Sequence, residues 1–86
     1  MKTTNPENYH TDYVPISCDT HSEYELAILQ RQKLRLFWHE SNVCHNEWIL
    51  PLDLQTRRGE EFLIGRNEAG ETLTLRLDRI RPRPMP

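Results

Sequence analysis

Lys33-Leu34-Arg35-Leu36-Phe37-Trp38-His39-Glu40 changes the period of the chain from helical to two. Leu34, Leu36 and Trp38 fall on one face of this stretch, with Arg35, Phe37 and His39 on the other. Side chains alternate across a strand, so the pattern marks a half-buried antiparallel strand. Three further runs follow. Trp48, Leu50, Leu52 and Leu54 are expected on one face of residues 47–56, Phe62 and Ile64 in the third run, and Leu73, Leu75 and Leu77 in the fourth. Ser41 to Asn46, Arg57-Arg58-Gly59 and Asn67 to Gly70 supply hairpin connections. Pro51 lacks a ladder donor and marks an edge or a bulge, and a short fifth strand is expected over Arg79 to Arg81.

Upstream, Pro15 holds Val14 extended, and Thr20 followed by Glu23 is a capping-box pattern, with Asp19 as the alternative cap. A helix over about residues 20–31 follows. Its apolar residues Tyr24, Leu26, Ala27, Ile28 and Leu29 form no single stripe. The fold class expected is therefore mainly β (α+β): an N-terminal helix followed by five strongly bent antiparallel strands closing as a small β-barrel, since a flat sheet of this size would leave one face bare. Residues 1–12 read as a disordered leader, 13–81 as the one domain, and 82–86 as a flexible Pro/Arg tail.

Eighty-six residues make one domain with a small core. No apolar run reaches membrane-spanning length, and the start has no secretory pattern. Two cysteines without such a signal suit reduced thiols in a cytoplasm. The charge is unevenly placed. Residues 1–30 carry five acidic side chains against Lys2, net −4, whereas residues 31–86 carry ten basic against eight acidic, net +2. The acidic first third suits a basic partner, although such runs also occur as solvated tails.

Enzyme chemistry is not expected. Cys18 beside Asp19 and His21 lacks a recognisable base-and-orienter context and reads as a small buried residue at a helix start. Cys44-His45 with His39 lacks a paired C-x-x-C, and adjacent ligands suit tetrahedral zinc poorly, so neither metal nor cofactor is expected. Direct single-strand RNA binding by a small Sm-like or OB-like barrel is the rival reading. Arg57, Arg58, Arg66 and Arg76 with Tyr9, Tyr13, Phe37 and Trp48 would supply it. Against it, most of these aromatics share faces with core leucines, and the arginines alternate with Glu60, Glu61, Glu68 and Glu71.

The strings Tyr13-x-Pro15-Ile16-x-Cys18-Asp19, Glu25-Leu26-Ala27, Ala69-Gly70-Glu71-Thr72 and Leu75-Arg76-Leu77-Asp78-x-Ile80 together resemble the Rof (YaeO) family of Rho-binding antiterminators. The resemblance implies an Sm-like barrel capped by its N-terminal helix, without ring assembly, hence a monomer. It also implies binding to the primary RNA site on the N-terminal domain of hexameric Rho, competing with RNA rather than binding it, and reducing Rho-dependent termination. On this reading Asp19, Ser22, Glu23 and Glu25 make charge or hydrogen-bond contacts, with His21 beside them. The loop Arg57, Arg58 and Gly59 is a second contact. Asp19 or Glu23 has an alternative use as the helix cap. His21 and Ser22 stand where the family pattern has an aromatic and an acid, and the turn from Ser41 to His45 reads as longer than the family's.

Overall fold

A computed structural model describes residues 12–82; the leader and tail outside that range, Tyr9 included, lie outside the described residues. The helix α1 runs Cys18–Gln30 and begins earlier than the capping-box pattern suggests. Its N-cap is Ser17, whose Oγ accepts the Thr20 N–H at 3.1 Å, so neither Asp19 nor Glu23 is used as the cap. Arg31 ends it in the left-handed conformation, φ 54°, while the Gln32 N–H closes on the Ala27 carbonyl at 2.9 Å.

Five strands follow: β1 Leu34–Glu40, β2 Val43–Arg57, β3 Glu60–Asn67, β4 Thr72–Arg76 and β5 Ile80–Pro82, with a 3₁₀ turn at Leu77–Arg79 between the last two. They form one antiparallel sheet in the order β4-β3-β2-β1-β5. The sheet is open, with β4 and β5 at its two edges, so the expected closed barrel is not what the strand pairing gives. The two edges are nonetheless joined by only three residues, which forces the sheet to curl until they approach each other.

Strand phase departs from expectation in the middle of the sheet. Leu36 and Trp38 of β1 and Leu75 of β4 are buried as read from the alternation. In β2, however, Ile49 and Pro51 face the core while Trp48 and Leu52 are exposed. The register with β3 shifts between Pro51 and Asp53, and this bulge at Leu52 returns Leu54 to the core side. In β3 Leu63, rather than Phe62 or Ile64, is fully buried, set by its pairing with Leu54. The first connection is also shorter than read. Ser41 and Asn42 alone make the turn, both at positive φ (52° and 64°), and Val43 to Asn46 already pair with β1. Arg58 and Gly59 make the second two-residue turn in the same way.

The core comprises Tyr24, Leu36, Trp38, Ile49, Leu63, Leu75, Leu77 and Ile80. Helix α1 contributes Tyr24 and Ala27 to the inner side of the curled sheet and leaves its other face to solvent.

Candidate partner-binding surface

Helix geometry sorts the expected contact residues. Tyr24 and Ala27 point inward, so positions about half a turn away, Cys18, Ser22, Leu26 and Leu29, define the outward stripe. Asp19 and Glu23 flank that stripe on one side and Glu25 on the other, and all of these residues are exposed. The stripe is not purely acidic. Leu26 is 52% and Leu29 80% exposed, which puts an apolar centre between carboxylate flanks. Neither leucine is among the contacts expected from the sequence, although the failure of the apolar residues of α1 to share one stripe signals that some of them face solvent. Cys18 is exposed, which corrects its assignment as a buried residue.

His21 lies apart from that face, half-buried on the side turned to the sheet. Its Nδ1 is 3.7 Å from Glu25 Oε2 and its Nε2 3.9 Å from Glu61 Oε2 on β3. Glu61 also accepts a hydrogen bond from Tyr13 Oη at 3.0 Å. Burial and this carboxylate push the Tyr13 phenol well above its ordinary value. Glu61 pairs with Thr56, and the turn Arg57-Arg58-Gly59 begins one residue further along β2, so the structure brings the second expected contact close to the helix. Arg57 lies over the Phe62 ring at 5.5 Å and donates to Gln55 Oε1.

The extended segment before α1 is anchored by charge. Asp78 binds Arg76 through both carboxylate oxygens, at 2.7 and 2.8 Å, and accepts the Val14 N–H at 2.9 Å. Asp12, last residue of the expected leader, meets Arg76 at 2.8 Å, and Arg76 also covers the Tyr13 ring. The Arg76 guanidinium holds both carboxyls below the usual aspartate range, and they in turn raise its own pKa.

At the β1–β2 hairpin, Cys44 is a strand residue with its Sγ 2.9 Å from His39 Nε2. His45 turns to the other face and stacks on Trp38 at 5.0 Å. Adjacent positions on a strand point oppositely, which separates Cys44 from His45, and the described residues contain no group of three or more metal-ligating side chains. No described helix is long and apolar enough to cross a membrane. No protein-family model, curated protein or solved structure matches the chain.

Proposed function

We propose that the chain is an antiterminator that docks on the primary RNA site of transcription termination factor Rho and keeps nascent RNA from it. The observation that carries this reading is the outward face of α1, where Asp19, Glu23 and Glu25 flank Ser22, Leu26 and Leu29 on a rigid, capped helix. A site that holds RNA is basic, so fixed carboxylates can take the place of phosphates there, while exposed leucines replace the apolar surface that bases offer. His21 lies between this face and the sheet, and Arg57, Arg58 and Gly59 stand on the hairpin that carries its neighbour Glu61, as a second contact of the same proposal.

The motif residues shared with the Rof family bear on the frame more than on this surface. Tyr13 and Ile16 pack against the core beside Leu77 and Ile80, and Arg76 and Asp78 tie down the segment that leads into the helix. The Sm-like barrel belongs to the same proposal. Its support is the joining of the two edge strands by three residues and the helix lying over the inner side of the curl. The reading makes the protein a cytoplasmic monomer with no catalytic role.

Titration with purified Rho tests it. Association is expected, and it weakens as salt rises because exposed charges are screened. Glu23→Lys with Glu25→Lys abolishes association while leaving the circular dichroism spectrum unchanged; Leu26→Ala with Leu29→Ala weakens it at least tenfold. No association of the unaltered chain with Rho would sink the proposal. Unaltered affinity in both double variants would remove the helix from it.

A further inference from the structure

We propose that the outward face of the sheet binds single-stranded nucleic acid, with Trp48 as a base-stacking platform and Arg35, Arg66 and Arg81 as phosphate contacts. This goes beyond the Rho reading and does not depend on it, because the helix packs on the opposite, inner side of the sheet.

The placement follows from register. Cross-strand partners share a face, and the pairs Phe37 with Arg81, Arg35 with Trp48, and Leu50 with Arg66 all alternate with the buried Leu36, Trp38 and Ile49. They therefore lie together on the outer surface, spread over β5, β1, β2 and β3. Arg81 and Arg66 lie three inter-strand spacings apart, about 14 Å, and are offset by four residues along β2, about 13 Å in the strand direction. No carboxylate occupies an outward paired position from Arg81 across to Leu50, but Asp53, paired with Ile64, lies on the same face beside Arg66. Glu47 and Glu68 only rim the small hollow beside Trp48 at one end.

Pairing with Arg35, out of phase with the buried Leu36, is what turns the ring out. That phase puts Ile49 and Pro51 in the core and leaves Trp48 43% exposed, adding nothing to the buried cluster. Arg35 lies 5.6 Å over the indole and is steered by a 2.8 Å hydrogen bond from its Nε to Asn46 Oδ1. An exposed aromatic with a guanidinium at its face, and two further arginines within reach, matches what an unpaired strand offers: planar bases on a charged backbone. An acidic peptide would satisfy the arginines but would bring no planar base to stack on the indole.

Fluorescence titration of the full chain with an oligouridine of about a dozen nucleotides tests this at low salt. Trp38 is buried, so quenching reports on Trp48. Saturable quenching without Rho is expected, with affinity falling as salt rises. Trp48→Ala, read by anisotropy of labelled oligonucleotide, weakens binding by about tenfold. Arg66→Glu weakens it and flattens the salt dependence. Both positions are exposed, and an unchanged thermal transition shows that either variant is folded. Absence of binding overturns the proposal. So does equal binding of poly-glutamate, which would make the face a protein-docking surface, and so does Trp48→Ala binding like the unaltered chain, which would leave only a general affinity for polyanions.

Discussion

Gly65 sits in the interior of β3, opposite Pro51, where the bulge draws the backbones together. A Cβ there would run into Ile49 Cγ2 and would stand 3.2 Å from the Leu50 carbonyl oxygen. Because Ile49 is fully buried and cannot swing away, Gly65→Ala is expected to cost about 1–3 kcal/mol in denaturant unfolding. Tyr24 poses the opposite case. It is wholly buried, and its hydroxyl finds no hydrogen-bond partner among the described residues. Tyr24→Phe removes an unsatisfied polar atom and keeps the ring, so stability at pH 7 should hold or rise by up to about 1 kcal/mol. At high pH the same residue acts against the fold. Burial, with some help from Glu23, pushes its ionisation up to about 12 from an ordinary 10. The folded form thus keeps its proton where the unfolded chain has lost it. The resulting loss of stability is absent below pH 10, grows as the pH rises from 10 to 12 and is complete above that. A stability profile between pH 9 and 12 should be flatter in Tyr24→Phe, and an unchanged slope would contradict this account. Neither position was legible from pattern: glycine reads as turn punctuation, and a tyrosine in an unstriped helix gives no sign of which way it points.

Among elements, β1 and β4 were legible because their alternation is clean and uninterrupted. The phases of β2 and β3 were not. Phe62-Leu63-Ile64 is apolar on both faces, so period two cannot choose between them; pairing of Leu63 with Leu54 makes the choice. Pro51 correctly announced an irregularity, yet its consequence, the reversal of phase around Leu52, depends on the partner strand. The helix start moved to Ser17 because a serine hydroxyl just before Cys18 outcompeted the Thr20–Glu23 pattern. What seats this helix is Asp78, whose carboxylate joins the 3₁₀ turn to Arg76 and to the Val14 N–H across 64 positions of sequence. Asp78→Ala removes a nearly buried, doubly charge-assisted link and should cost about 2–3 kcal/mol at pH 7. Its carboxyl pKa is lowered in the fold, so the stabilisation is present above the ordinary aspartate value and lost as the pH falls below it. Unfolding measured at pH 7 and again near pH 2 should show the difference between the variant and the parent shrinking.

At the scale of the molecule, a net charge of −2 conceals two surfaces of opposite character on opposite sides of one curled sheet. The acidic helix face was legible as charge asymmetry along the chain. The arginine–aromatic face was legible only in part: Arg66, Phe37 and Trp48 were read as candidates for binding a single strand, whereas Arg35 and Arg81 join them only through the register of four strands. Such an arrangement makes the two proposals separable. Fields of exposed charges fade within about 8–10 Å at physiological ionic strength, so a change on one face should barely be felt by a ligand on the other. Glu23→Lys with Glu25→Lys should therefore lose Rho while binding oligouridine as the parent does, and Trp48→Ala should lose oligouridine while keeping Rho. If both variants lose both ligands and remain folded, the two surfaces are one site and the assignment of separate faces is wrong. If each loses only its own, a chain bound to Rho by its helix still has its sheet face free for a strand displaced from the termination factor. A ternary complex of Rho, this chain and oligouridine should then appear by sedimentation, and Trp48→Ala should reduce it to the binary one.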